Sequence, residues 1–413
     1  MSPLFFTYSG MSMENLTQAE VVAKGLEALK NLDLENAEKY FNYGLQQNEY
    51  SSEVHLGFAK LYLLQQKLDA ALFWAKKARD LAEDKGDAYA LIATCHLMAN
   101  QVGQAVNLLQ KALKDSPENP QVLSGLGKAL IRAGKHAEAK PHLLKALETT
   151  DAPELVNYDL ALAFADGPED VSDFEKAVDY LTASIEANPG FAPPYFLLSH
   201  ISVKLEMVDQ AIEILTDGLA YNPNMLPMWE ELHGLYMTAN KPEKAMVQAM
   251  ELVSRRGDPT DYIRVGNTAL FSKDHKGALL AYKQAHELNP KDPTPLLNMA
   301  HVHRVQQNKK QAIKYYRQTA QIAPQWHRPF LGMGLIALQI DKNHDEARDH
   351  LLAALKIAPE DHEVCFYLAL CAQEQNNDTE CQKYAKMALA TARSPREAAQ
   401  AQNLLTPEVQ TPE

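Results

Sequence analysis

An alanine recurs at a fixed interval through nearly the whole chain. Ala37, Ala71, Ala105, Ala139, Ala177, Ala211, Ala245, Ala278, Ala312 and Ala347 are separated by 34, 34, 34, 38, 34, 34, 33, 34 and 35 residues, and Cys381 takes the next slot after 34 more. Seven of these ten steps are identical, so chance recurrence of a common residue does not explain them. A period of this size marks stacked repeats, each burying its apolar face only against its neighbours.

Two further positions repeat in register. Seven residues after the anchor stands a mostly small residue, as at Gly44, Ala78, Ala112, Ala146, Ser184 and Ala285. Twelve before it stands another, as at Gly25, Ala59, Ala93, Gly127, Gly266 and Ala300. Small residues seven apart share one helix face, two turns along. A third on the preceding helix lets the two axes approach closely. Larger apolar residues between them (Phe41, Leu109, Leu143, Leu181, Tyr282, Tyr316) fill the space beside the contact. A proline closes many units, as at Pro117, Pro189, Pro223, Pro290, Pro324 and Pro359, where it stops the second helix.

This pattern resembles the tetratricopeptide repeat family. The resemblance rests on the small-residue pair, the aromatic or leucine between them, the closing proline, and dipeptides such as Leu126-Gly127 and Val265-Gly266. It also rests on an early aromatic position filled by Tyr89, Tyr195, Trp229, Tyr262 and Phe330. Eleven units begin at Gln18, Ser52, Gly86, Pro120, Glu154, Ala192, Leu226, Pro259, Pro293, His327 and His362, covering about nine-tenths of the chain. The resemblance implies an all-α fold, a right-handed α-solenoid superhelix of helical hairpins running as one continuous solenoid over residues 18–395. Residues 1–17 read as an N-terminal extension, 396–405 as a capping helix and 406–413 as a polar, proline-containing tail. Thr17–Glu20 and Ser394–Glu397 read as capping boxes. Four extra residues in the fifth unit, within 165–173, include Gly167-Pro168 in an acidic stretch and read as a longer loop between its two helices.

Composition narrows the function classes. The formal net charge is −13, from 53 acidic and 40 basic residues. A phosphate-binding surface calls for a basic surplus, so no nucleic-acid partner is expected. No apolar run is long enough to cross a membrane, and no direct membrane insertion is expected. The first residues lack a basic segment, and Leu4-Phe5-Phe6 is short for a secretory core, so the expected location is cytoplasmic; Met11 or Met13 is an alternative start. Cys95, Cys365, Cys371 and Cys381 form no CxxC pair. They read as buried thiols, with a redox or metal role for the C-terminal three as the alternative.

No catalytic motif stands out: there is no phosphate loop, no G-x-G-x-x-G, no G-x-S-x-G and no H-E-x-x-H. His301 and His303 lie two apart on a helix, so their rings diverge. No cofactor, metal or enzymatic activity is expected.

The resemblance implies that the first helix of each unit lines a binding groove, through its second, fifth, sixth, ninth, twelfth and thirteenth residues. In units eight to ten these include Arg264, Asn267, Asn298, His301, Arg304 and Arg328. Asn267, Asn298 and Arg328 match three places of the family's carboxylate clamp, which holds a peptide C-terminus. Ile263 and Gly332 stand where that clamp has cations. Asparagine amides can bond both the NH and the CO of an extended peptide, and arginine pairs with carboxylates. In units five and six the same positions carry Leu155, Tyr158, Leu162, Phe196, His200 and Val203, an apolar set suited to a bound helix or apolar segment. The expected function is a scaffold or adaptor for protein or peptide ligands, extended or helical, that supports assembly of a multiprotein complex. A chaperone-like carrier for an assembly or secretion client, and an enzyme with an unrecognised site, are the alternatives. The sequence leaves the oligomeric state open.

Overall fold

The structure is a computed structural model that describes residues 16–165 and 171–405. Regular secondary structure among the described residues is entirely helical, and the chain divides into two compact units, Met1–Asn222 and Pro223–Glu413.

The first unit is six helical hairpins. They are α1 (Gln18–Lys30) with α2 (Leu34–Gln47), α3 (Ser52–Leu64) with α4 (Leu68–Leu81), and α5 (Gly86–Met98) with α6 (Val102–Asp115). Then come α7 (Pro120–Arg132) with α8 (His136–Leu147), α9 (Pro153–Ala165) with α10 (Val171–Ala187), and α11 (Pro193–Lys204) with α12 (Val208–Tyr221). The second unit has five: α13 (Leu226–Thr238) with α14 (Pro242–Arg255), α15 (Pro259–Phe271) with α16 (His275–Leu288), and α17 (Thr294–Val305) with α18 (Lys309–Ile322). These are followed by α19 (Arg328–Ile336) with α20 (His344–Ile357), and α21 (His362–Glu374) with α22 (Asp378–Thr391). A last helix, α23 (Pro395–Leu405), packs on α22 and α21, burying Ala401 and laying Leu404 and Leu405 on the core. Within each hairpin the first helix packs on the second, and successive first helices also touch directly, as α3 with α5, α5 with α7, or α17 with α19. A row of first helices therefore forms one face of each unit.

The small-residue register produces this packing. Every anchor alanine is fully buried, and Cys381 nearly so. Phe41, Leu109, Leu143, Leu181, Leu215 and Tyr282 are the large side chains buried beside them. Burial of each contributes about 1.5–3 kcal/mol. Gly266 has to be glycine: a Cβ there would fall inside the Tyr282 ring. The early aromatics have a polar task as well. Tyr195 Oη donates to the Pro189 carbonyl at 3.1 Å and Trp229 Nε1 to that of Pro223 at 2.9 Å, each tying a first helix to the turn before it.

One recurring turn is invisible in the repeat pattern. After ten of the eleven first helices, all but α9, whose exit lies outside the described residues, one residue adopts a left-handed conformation: Leu32, Gln66, Asn100, Gly134, Glu206, Asn240, Lys273, Gln307, Lys342 and Asn376. The next amide then bonds back to a carbonyl five residues earlier, as Asp33 to Ala28 (2.9 Å) and Lys67 to Tyr62 (2.9 Å). This is a Schellman closure, which favours glycine at the left-handed residue. Only Gly134 supplies it. A non-glycine residue there costs about 1–2 kcal/mol. We expect Gln66→Gly, at an exposed position, to raise stability by about 1 kcal/mol and Gly134→Ala to lower it by a similar amount. Urea unfolding of both variants checks this, and equal midpoints would contradict it.

Departures from the 34-residue step are absorbed locally. In the fifth hairpin α10 begins at Val171 and runs 17 residues, against 14 for α12. Part of the excess read as loop is thus extra helix, while 166–170 lies outside the described residues. The 35-residue step sits in the tenth hairpin, where α19 continues as a π-helical turn, Ala337–Asp341. There the closing amide, Asn343, reaches back six residues to Ala337 rather than five. A π turn is the form a helix takes when it accommodates one extra residue.

At the 33-residue step, three residues separate α14 from α15. Gly257 takes φ +69°, and Arg256 folds over the turn. Its guanidinium contacts Asp261 at 2.6 and 3.0 Å and Glu230 at 2.6 Å. Asp261 is fully buried and also accepts from the Asp258 amide (3.1 Å) and from Arg264 Nη1 (3.1 Å). Burial alone would raise its pKa, but the hydrogen bonds from Arg256 and the Asp258 amide outweigh it and hold it below the usual value.

Candidate functional site

In the second unit the polar candidates lie on α15, α17 and α19. Asn267 Oδ1 accepts from Tyr282 Oη at 2.8 Å and from Asn298 Nδ2 at 3.4 Å. The buried phenol thereby orients one amide, and that amide contacts the next along the face. Asn298 opens onto a recess of about 310 Å³ shared with His301, Arg304, Tyr316, Arg328 and Glu363. Arg304 Nη2 donates to His301 Nδ1 at 3.2 Å. Surrounding protein and the neighbouring Arg304 charge lower the His301 pKa, so a neutral ring accepts this bond. Arg304 Nε is buried with no hydrogen-bond partner among the described residues. Arg328 is exposed.

Two sequence expectations change in this setting. Arg264 is not available in the recess: it is held by Asp261 (3.1 Å) and Glu230 (3.2 Å). Gly332, read as a missing clamp cation, is where the Tyr316 ring packs, and any Cβ there would enter the ring. Asn267, Asn298, His301, Arg304 and Arg328 remain together as one polar surface.

The apolar set in the first unit is more dispersed. Leu155 and Val203 are exposed, Leu162 and Phe196 are half-buried, and His200 has an exposed surface. Tyr158 belongs to the packing between hairpins, edge-on to Phe191 at 5.7 Å and against the cluster of Ala161, Ala177, Leu181 and Ile201.

Sequence reasoning passed over a second recess. It occupies about 370 Å³ across α3, α5, α7 and α9, with Lys60, Asp87, Thr94, Ser124, Lys128 and Asp159 among its lining. Asp159 is 4% exposed, and Lys128 Nζ lies 3.5 Å from its Oδ2. Burial pushes the Asp159 carboxyl up to about 6, against the opposing pull of Lys128. Beside this recess, and sharing Lys60, is an apolar pocket formed by Leu26, Leu29, Leu63, Leu64 and Met98.

A family model described as anaphase-promoting complex, cyclosome, subunit 3 matches residues 64–146. A TPR repeat-containing protein of Pseudomonas aeruginosa is 31% identical over 126 residues. The chain is a tetratricopeptide-repeat protein. The alignment covers 30% of this tetratricopeptide-repeat chain and 21% of the Pseudomonas protein, so the chain spans about a fifth of that relative's length. Among solved structures, yeast Tom70 aligns with a TM-score of 0.46 at 14% identity, over 94% of each chain. The Cut9–Hcn1 hetero-tetramer of the APC/C aligns at 0.41 and 12% identity, over 95% of this chain and 97% of that one.

The four cysteines of this tetratricopeptide-repeat protein are free and buried. Desolvation raises the pKa of each thiol, that of Cys365 to about 11, which suppresses the reactive thiolate. Among the described residues no three His, Cys, Asp or Glu side chains are grouped to hold a metal ion, and no helix is long and apolar enough to cross a membrane.

Proposed function

We propose that this chain is a non-enzymatic scaffold that holds a polypeptide partner along its first-helix face, with the polar recess of the second unit as the principal contact. The observation that carries this reading is the Asn267–Asn298 amide pair, fixed by Tyr282 and set beside Arg304 and Arg328. A pre-oriented amide pair suits the backbone of an extended chain, because Asn267 keeps its NH₂ donors while Asn298 keeps its carbonyl oxygen and a second N–H. Arg304 brings an unsatisfied buried donor, and Arg328 an exposed cation. An acidic side chain or a terminal carboxylate can pair with the two guanidinium groups that line the recess. Glu363, in the same recess, disfavours an acidic group placed against it and so restricts where that group can sit. A partner held in this way, on a repeat face with room for others, is brought close to further chains, as complex assembly requires.

The test is a peptide selected on the full-length protein from a random library with free C-termini. Asn298→Ala is expected to weaken its binding about tenfold, equivalent to roughly 1–2 kcal/mol, while leaving the unfolding midpoint in place. Arg328→Ala is expected to weaken binding more at low salt than at high salt, as a screened exposed charge does. Unchanged affinity in both variants would move the partner off this recess.

A further inference from the structure

The chain buries two aspartates in very different ways. Asp261 is enclosed by two arginines and a backbone amide, with four contacts of 2.6–3.1 Å. Asp159 is almost as deeply buried, yet its ion-pair partner is one lysine at 3.5 Å whose own side chain is 52% exposed. Asp159 also faces a recess, whereas Asp261 is sealed by a turn. A carboxylate buried for stability is expected to resemble Asp261. One left facing an open space, with a solvent-tethered lysine as its counter-charge, is poorly compensated and suited to exchange.

We propose that the recess across α3, α5, α7 and α9 receives an arginine or lysine side chain from a polypeptide partner, with Asp159 as its counter-ion and the Lys128 ammonium swinging out to solvent as it enters. Charge complementarity favours a cation. The lining carries three carboxylates, Asp87, Asp151 and Asp159, against two lysines, Lys60 and Lys128. Both lysines stand at the exposed rim, while Asp159 is at the buried end. Arginine fits best, because a planar guanidinium can take both carboxylate oxygens at once and is more weakly hydrated than an ammonium. A polypeptide is favoured over a free cation because the adjoining pocket of Leu26, Leu63, Leu64 and Met98 begins at Lys60 and offers a seat for an apolar residue beside the basic one. This site lies wholly in the first unit and does not depend on the polar recess of the second.

The test uses the full chain and four defined probes, titrated by ligand-observed NMR. They are acetyl-Leu-Gly-Arg-Gly-Leu-amide, the same peptide with citrulline for arginine, N-butylguanidinium and N-butylurea. Citrulline and butylurea keep the shape and remove the charge. The arginine peptide is expected to bind at least tenfold more tightly than the citrulline peptide, and Asp159→Asn to abolish that difference. Lys128→Met removes the internal competitor and is expected to tighten arginine-peptide binding several-fold. Asp159→Asn is expected to keep or raise the unfolding midpoint at neutral pH, because it removes a poorly paired buried charge. Should that variant fail to fold, the Lys128→Met result decides, with unchanged or weaker binding counting against the proposal. Binding in the wild type is expected to weaken as pH falls below about 6, where the carboxylate becomes protonated. Equal binding of the charged and neutral peptides, or charge discrimination that survives in Asp159→Asn, overturns the proposal. Equal affinity for N-butylguanidinium and the arginine peptide overturns the polypeptide assignment. Asn298→Ala is expected to leave all of these values unchanged, which separates failure here from failure of the scaffold reading.

Discussion

Asp261→Asn is expected to destabilise the second unit by about 3–5 kcal/mol, the cost of removing one partner from a buried charged network. The substitution nearly preserves shape but leaves Arg256 and Arg264 sharing Glu230, and it turns an amide NH₂ toward guanidinium donors. It also weakens the cap of α15, because the same carboxylate accepts from the Asp258 amide. Urea unfolding gives the measurement. Lys283→Gln, which breaks an exposed pair with Glu287, serves as the comparison and is expected to change stability by less than about 0.5 kcal/mol. A loss at Asp261 no larger than at Lys283 would show that the network is not structural. The pH dependence has a definite sign. The folded-state pKa of Asp261 lies below the ordinary 3.8, so its contribution is complete above that value and disappears as pH falls through the folded pKa. The gap between wild type and Asp261→Asn is therefore expected to stay constant near neutrality and to shrink below about pH 4.

Tyr282→Ala is expected to cost about 3–5 kcal/mol, since it empties the space of a fully buried ring against Gly266. Its more informative companion is Tyr282→Phe. Loss of the hydroxyl removes the 2.8 Å bond to Asn267 Oδ1 and is expected to cost about 1 kcal/mol. It also frees the Asn267 amide to rotate. Binding of the selected peptide should then weaken several-fold, although Tyr282 Oη contacts Asn267 from within the hairpin. Full affinity in Tyr282→Phe would show that Asn267 needs no holding, and would separate the core of this hairpin from the recognition surface.

The hairpin architecture is legible because its cause is local. Where two helices approach closely, the residue at the crossing must be small, and ten alanines with one cysteine mark that crossing in each unit. The left-handed turns are not legible, because nine of the ten described ones use residues such as Leu32, Glu206 and Lys273 rather than glycine. There the hairpin packing imposes the conformation against local preference. The same contrast governs the sites. Asn267 and Asn298 are found by counting along a first helix, since two successive helices place them side by side. Arg264 occupies an equally suitable position, but its fate depends on a buried aspartate at Asp261 and on Glu230 from the previous hairpin. Asp159 is the sixth residue of the unit that begins at Glu154, and Lys128 the ninth of the unit before it, so the same count places both on the first-helix face; what it does not give is the depth of burial at Asp159. Burial of a carboxylate is a property of four helices together, which no single stretch of sequence carries.

The wide turn at Ala337–Asp341 bears on how a chain of this kind varies in length. An extra residue inside a helix rotates everything after it by about 100°. Were that rotation transmitted, α20 would present the wrong side to its neighbours. Here the surplus is held in one turn, Asn343 closes on Ala337, and Ala347 meets the core as its counterparts do. A one-residue insertion is thus confined to the end of a single helix. Asn298 and Arg328, upstream of that turn, keep their places, and the downstream hairpin begins in phase. A residue can thus be gained at this helix end while the face that carries Asn298 and Arg328 is left as it is.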